Sequence, residues 1–192
     1  MLPGMEHASY LPAAQAEVDC LVQGRTRLFA LGLGGLNALV GLLNLLFLPP
    51  LHLALEAPLA VLTLGGMLAL THWLRVPRTP SLVDFAGGTA AFLAVVSALV
   101  HLALAHDLHN TTHLMLIATG AGFFLFSLTW FLATAALITL GWAGVMLMGN
   151  SPGPLTHYGI ELGTAILLGL LIHLVRRDLL NRVLDLMAQN HQ

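Results

Sequence analysis

The sequence predicts an all-α fold, an integral membrane bundle of six helices with the N- and C-termini both cytoplasmic. Three observations predict it. Of 192 residues, 57% are hydrophobic and 8% charged, with a mean hydropathy of +0.86. Soluble domains carry about 25% charged residues, so this chain lacks the polar side chains to cover a globule. The apolar residues fall into runs of membrane-spanning length, about 20 residues each. All seven basic side chains are arginines, and they flank alternate runs: Arg25 and Arg27, Arg75 and Arg78, then Arg176, Arg177 and Arg182.

The N-terminal segment, residues 1–27, lacks a basic n-region and carries Glu6, Glu17 and Asp19, so it does not read as a signal peptide. Residues 11–22 predict a short amphipathic helix on the inner surface, with Leu11, Ala14, Val18 and Leu21 on one face. The transmembrane domain, residues 28–175, follows. Its spans are predicted at 28–48, 51–74, 82–105, 113–127, 129–148 and 156–175. The run 113–149 is too long for one span, yet no strong turn residue divides it. Arginine-rich flanks stay cytoplasmic. A single span there would put Arg176 outside, whereas two spans keep every arginine inside. Both ends are therefore expected on the cytoplasmic side of a cell membrane.

The outer loops, at residues 49–50, 107–112 and 150–154, are short and form no outer domain. The inner loop 75–81 is stiffened by Pro77 and Pro80. Cys20, the single cysteine, excludes an internal disulfide. Nothing is basic enough outside the membrane flanks for nucleic acid. Many glycines lie within the spans, including a GxxxG at Gly159–Gly163, and predict close helix packing or a dimer face. Asn37 and Asn44 share a face of the first span and are expected to bond a neighbouring helix.

Ionisable groups within a bilayer are costly and mark function. Two His-x-x-x-Glu pairs, His52/Glu56 and His157/Glu161, occupy single helical faces near the outer surface, and His101 lies at similar depth. His109 and His113 form a third i, i+4 pair. Nitrogen and oxygen ligands at this spacing suit zinc, copper or iron, and facing helices of a bundle can assemble such a site. The candidate ligand- or metal-binding set is therefore His52, Glu56, His101, His113, His157 and Glu161. His106 and His109 read as loop residues, and His72 and His173 as interfacial ones at the inner ends. Asp84 is expected to cap its helix or pair with Arg75 or Arg78. Gly149-Asn-Ser151-Pro-Gly153 matches G-x-S-x-G, but Pro152 offers no N–H for an oxyanion, so the segment reads as a turn with no catalytic serine.

Residues 176–192 continue the last span into the cytoplasm. Leu180, Val183, Leu184 and Met187 make an apolar stripe expected to act as a dimeric signalling helix, cut before an output domain. This layout resembles the N-terminal membrane sensor regions of bacterial signalling proteins, which lead into diguanylate cyclase, nucleotide cyclase or histidine kinase modules. The resemblance is one of architecture and rests on no shared motif. It implies a homodimeric receptor domain of a bacterial inner membrane that binds a small ligand, metal ion or haem b and relays to a C-terminal module. Enzymatic activity would then lie in that module. The alternatives are a haem b transmembrane redox carrier, using histidines at both ends of two helices, and a small transporter or membrane metalloenzyme.

Overall fold

A computed structural model of the chain describes residues 7–47, 50–105, 108–148 and 155–190, and all lie in helices or short connections. Six α-helices follow in order: α1 His7–Phe47, α2 Pro50–Trp73, α3 Pro80–Ala105, α4 Thr111–Phe124, α5 Leu128–Met148 and α6 Leu155–Asn190. A 3₁₀ turn at Leu108–Asn110 leads into α4. Five of the six, all but α4, contain stretches long and apolar enough to cross a membrane. Large apolar side chains face outward around the bundle, among them Leu42, Leu62, Leu140 and Leu167. That is the surface a helix bundle presents to hydrocarbon rather than to water.

The sequence explains which helix is central. α3 presents Ala90, Ala91, Ala94 and Ala98 to the interior, all buried. Small side chains let neighbouring backbones approach closely, and α3 packs against α1, α2, α4 and α5. α6 packs mainly on α4. There Gly122 and Gly169 bring the two backbones into contact: a Cβ on Gly122 would lie 2.1 Å from the Gly169 carbonyl oxygen. This crossing, and not Gly159–Gly163, is the tight glycine contact of α6; a Cβ on Gly163 would meet nothing within 4 Å.

Two expected boundaries differ. The surface helix of residues 11–22 is not separate: α1 runs unbroken for 41 residues into the first apolar run, since no glycine or proline lies between residues 14 and 23 to stop it. The long run 113–149 divides at residues 125–127, where Leu125 turns extended (ψ 128°). Its first half, α4, has 14 helical residues, about 21 Å at helical rise, short of the ~30 Å hydrocarbon core.

A helix that stops early leaves carbonyls open at its C-terminus. α6 closes them. Arg176 donates to Phe123 O and Leu125 O, and its guanidinium sits over the Phe126 ring at 4.2 Å. His173 Nδ1 donates to Leu125 O at 3.0 Å and its ring stacks on Phe131. His173 is thus fully buried among the helices at this end. The α2–α3 connection is fixed at the same end. Gln23 Nε2 donates to Leu74 O and Val76 O, both at 2.8 Å, and Gln23 Oε1 accepts from the Arg78 N–H. The arginine-bearing segments of α1, the α2–α3 loop and α6 therefore gather at one end of the bundle.

Candidate functional site: a carboxylate and two imidazoles inside the bundle

The opposite end holds the polar groups. Glu56 stands in the second turn of α2, His101 near the last turn of α3, and His113 in the first turn of α4. Glu56 is 6% exposed. Its Oε1 lies 2.7 Å from His101 Nδ1. The His113 ring lies beyond, 5.9 Å from that of His101 between centroids and tilted by 44°. Three helices therefore place one carboxylate and two imidazoles side by side in a mostly apolar interior.

These groups open onto a cavity of about 50 Å³ bounded by α1, α2, α3 and α4. One water needs roughly 10–15 Å³ measured this way, so a few waters or an ion fit. Haem and drug-sized ligands occupy pockets of about 300–1,000 Å³. Two further polar residues line the wall. Asn37 Nδ2 donates to Ala60 O at 3.0 Å, and Ser97 Oγ donates to Asn37 Oδ1 at 2.9 Å. Asn37 thus ties α1 to α2 and α3. A second cavity, about 260 Å³, lies between α1 and α2 and shares Asn37 and Glu56 with the first. Its other walls are apolar, and it opens beside outward-facing Leu42 and Val61.

The remaining predicted site residues go elsewhere. His52 is half-buried on α2, one turn from Glu56 toward the helix start. His157 and Glu161 form their own pair along α6, Nε2 to Oε1 3.0 Å, with side chains 63% and 43% exposed. α6 packs on α4 and α5 and shares no substantial interface with α2, so the two His-x-x-x-Glu pairs are not drawn together. Among the described residues no three His, Cys, Asp or Glu side chains stand as a metal-binding group. His106 lies outside the described residues, as does the side chain of His109.

At the arginine end, His72 is exposed on α2 while His173 is buried on α6, on helices that do not pack together. Asp84 is half-buried on α3 and makes no ion pair with Arg75 or Arg78. On the predicted signalling stripe Leu180 is half-buried and Val183 exposed, and an Asp178–Arg182 pair at 2.9 Å lies beside them. Leu184 and Met187 belong to α6, but their side chains lie outside the described residues.

Sequence reasoning missed Ser97 and the structural task of Arg176. Ser97 sits one helical turn before His101, a spacing that puts both on one face of α3. Arg176 carries no local signal of its role, because its acceptors lie more than fifty positions away. No family model matches the chain, and no curated protein or solved structure shows significant similarity to it.

Proposed function

We propose that the chain is a six-span membrane sensor domain, with the arginine end cytoplasmic, that takes up an ion-scale ligand at Glu56, His101 and His113 and relays its occupancy through α4 to α6. The single observation behind this reading is the buried Glu56–His101 contact next to His113, since His113 belongs to the same short helix that packs backbone-to-backbone on α6. A carboxylate in contact with an imidazole responds to a proton, which changes the charge the buried pair carries. A divalent transition-metal ion is the second candidate, and it would require His113 to close on Glu56 and His101, since the three do not stand as a metal-binding group as placed. The cavity's size favours such a ligand over haem b. α6 then runs for 36 residues without a break, from the outer end of the bundle past Arg176. A rigid helix of that length can carry displacements of about 1–2 Å to an attached module. The positive-inside rule supports a cytoplasmic arginine end, and five helices long and apolar enough to cross a membrane support a place in a cell membrane. The proposed active form is a homodimer through α6.

The test is a distance measurement. A spin label at Val183→Cys, in a Cys20→Ser background, reports the separation of two α6 helices in lipid nanodiscs. Shifting pH from 8 to 5.5, or adding Zn²⁺, is expected to change that distance distribution. Glu56→Gln together with His101→Phe is expected to abolish the response. An unchanged distribution under all of these conditions would sink the sensor reading.

A further inference from the structure

At the arginine end a groove of about 620 Å³ lies between α1 and α6, floored by the end of α4. Its α6 wall is the stripe Leu171, Val175 and Leu179, spaced every fourth residue and 51–58% exposed. Phe123 of α4, also outward-facing, continues the apolar surface. Arg25 and Arg176 both line this groove. The ion pairs among the described residues are Glu56–His101, His157–Glu161 and Asp178–Arg182, and they include neither arginine. Arg176 is held by neutral carbonyls and a phenyl ring, which orient the guanidinium without cancelling its charge. Asp84 acts on it only at longer range.

Arg25 and Arg176 repel one another across the head of the apolar groove, Asp84 offsets this only from beyond ion-pair reach, and an anion between the two guanidinium groups would relieve the repulsion. A soluble anion would satisfy the charges but leave the apolar walls empty. An acyl chain alone would do the reverse. We infer that this groove binds an anionic phospholipid of the inner leaflet, its phosphate held by Arg25 and Arg176 and an acyl chain laid along Leu171, Val175 and Leu179. Basic pockets between helices at the cytoplasmic surface are suited to such headgroups, and guanidinium suits phosphate through paired donors. The bound lipid bridges α1 and α6, which otherwise share little direct contact. The inference is independent of the polar cavity at the other end.

The experiment is native mass spectrometry of the full chain released from micelles doped with phosphatidylglycerol or phosphatidylcholine. Retention of one phosphatidylglycerol in preference to phosphatidylcholine is expected. Arg25→Gln is expected to weaken it about five-fold, the effect of one cation near a lipid phosphate, and Arg25→Lys to restore most of it. Arg25 is exposed and holds no other element in place, so the fold survives its loss. Arg75→Gln, an exposed arginine at the same end but outside the groove, is the control and is expected to change nothing. Equal retention of both lipids would overturn the inference. So would loss of equal size in Arg75→Gln and Arg25→Gln, which would mark general attraction to a basic surface.

Discussion

Glu56 Oε1 and His101 Nδ1 lie 2.7 Å apart, joining the second turn of α2 to the end of α3. Both side chains are close to fully buried, at 7% and 12% exposure. Removing one partner leaves the other desolvated, which costs more than the contact itself contributes. Glu56→Leu is therefore expected to destabilise the bundle by about 2 kcal/mol or more. Glu56→Gln keeps an acceptor for the imidazole and should cost under about 1 kcal/mol. Unfolding of purified protein in mixed micelles would measure both. Equal losses would show that the charge, and not the hydrogen bond, holds this contact.

Asn37 makes a weaker but similar connection, through Ala60 O and Ser97 Oγ. Hydrogen bonds between membrane helices average about 0.6 kcal/mol. Asn37→Leu should thus cost only about 1 kcal/mol in the same assay, despite breaking two bonds. Its larger effect should be on the cavity, where Asn37 lines the wall shared with the α1–α2 groove.

How much of this was legible in the sequence depends on the range of the interaction involved. Apolar length and arginine placement predict an all-helical bundle, because spanning is a local property of about 20 residues. The i, i+4 rule puts His52 with Glu56 and His157 with Glu161, and the α6 pair does form. Periodicity carries no information on which helices become neighbours, so it could not separate Glu161 on α6 from Glu56 on α2. His113 is brought toward His101 by the α3–α4 connection and not by any spacing within one helix. The break at 125–127 contains no glycine or proline. It is held by His173 and Arg176 from the distant α6, and its one local mark is Ser127, an N-cap residue type directly before α5 whose carbonyl accepts from the Phe131 N–H.

Those two side chains differ in what their loss should do. Arg176 donates two charge-assisted hydrogen bonds to the carbonyls that end α4. Arg176→Met should release the α4–α5 turn, raising amide hydrogen exchange over residues 121–127 by about ten-fold or more as that segment opens locally. Exchange in α2, which Arg176 does not touch, should stay unchanged. Uniform acceleration across the bundle would mean global destabilisation and would contradict the capping role.

His173 presents the opposite balance. Its Nδ1 donates to Leu125 O, but its Nε2 is buried without a partner among the described residues. Losing the bond costs about 1 kcal/mol, while removing an orphaned polar atom recovers about 1–3 kcal/mol. Leu125 O keeps Arg176 as a donor. A phenyl ring also preserves the stacking on Phe131. His173→Phe is accordingly expected to be neutral or stabilising by about 1 kcal/mol in micelle unfolding. A loss above about 2 kcal/mol would point to a partner for Nε2, such as a bound water or ion.

The shortness of α4 makes its passage across the membrane the step on which topology turns. Cys20 is the only cysteine and is exposed on α1, so labelling can follow single positions. A membrane-impermeant maleimide is expected to modify Cys20 in inverted vesicles and not in intact cells. In a Cys20→Ser background, Thr112→Cys, exposed at the start of α4, should label only from outside. The discriminating position is Asn181→Cys on the exposed tail of α6. Six crossings return it to the side of Cys20. If α4 entered and left by the same face, Asn181→Cys would label from outside, against the preference of Arg176 and Arg177 for the cytoplasm. Arg25 and Arg176 line one groove, which favours the first outcome.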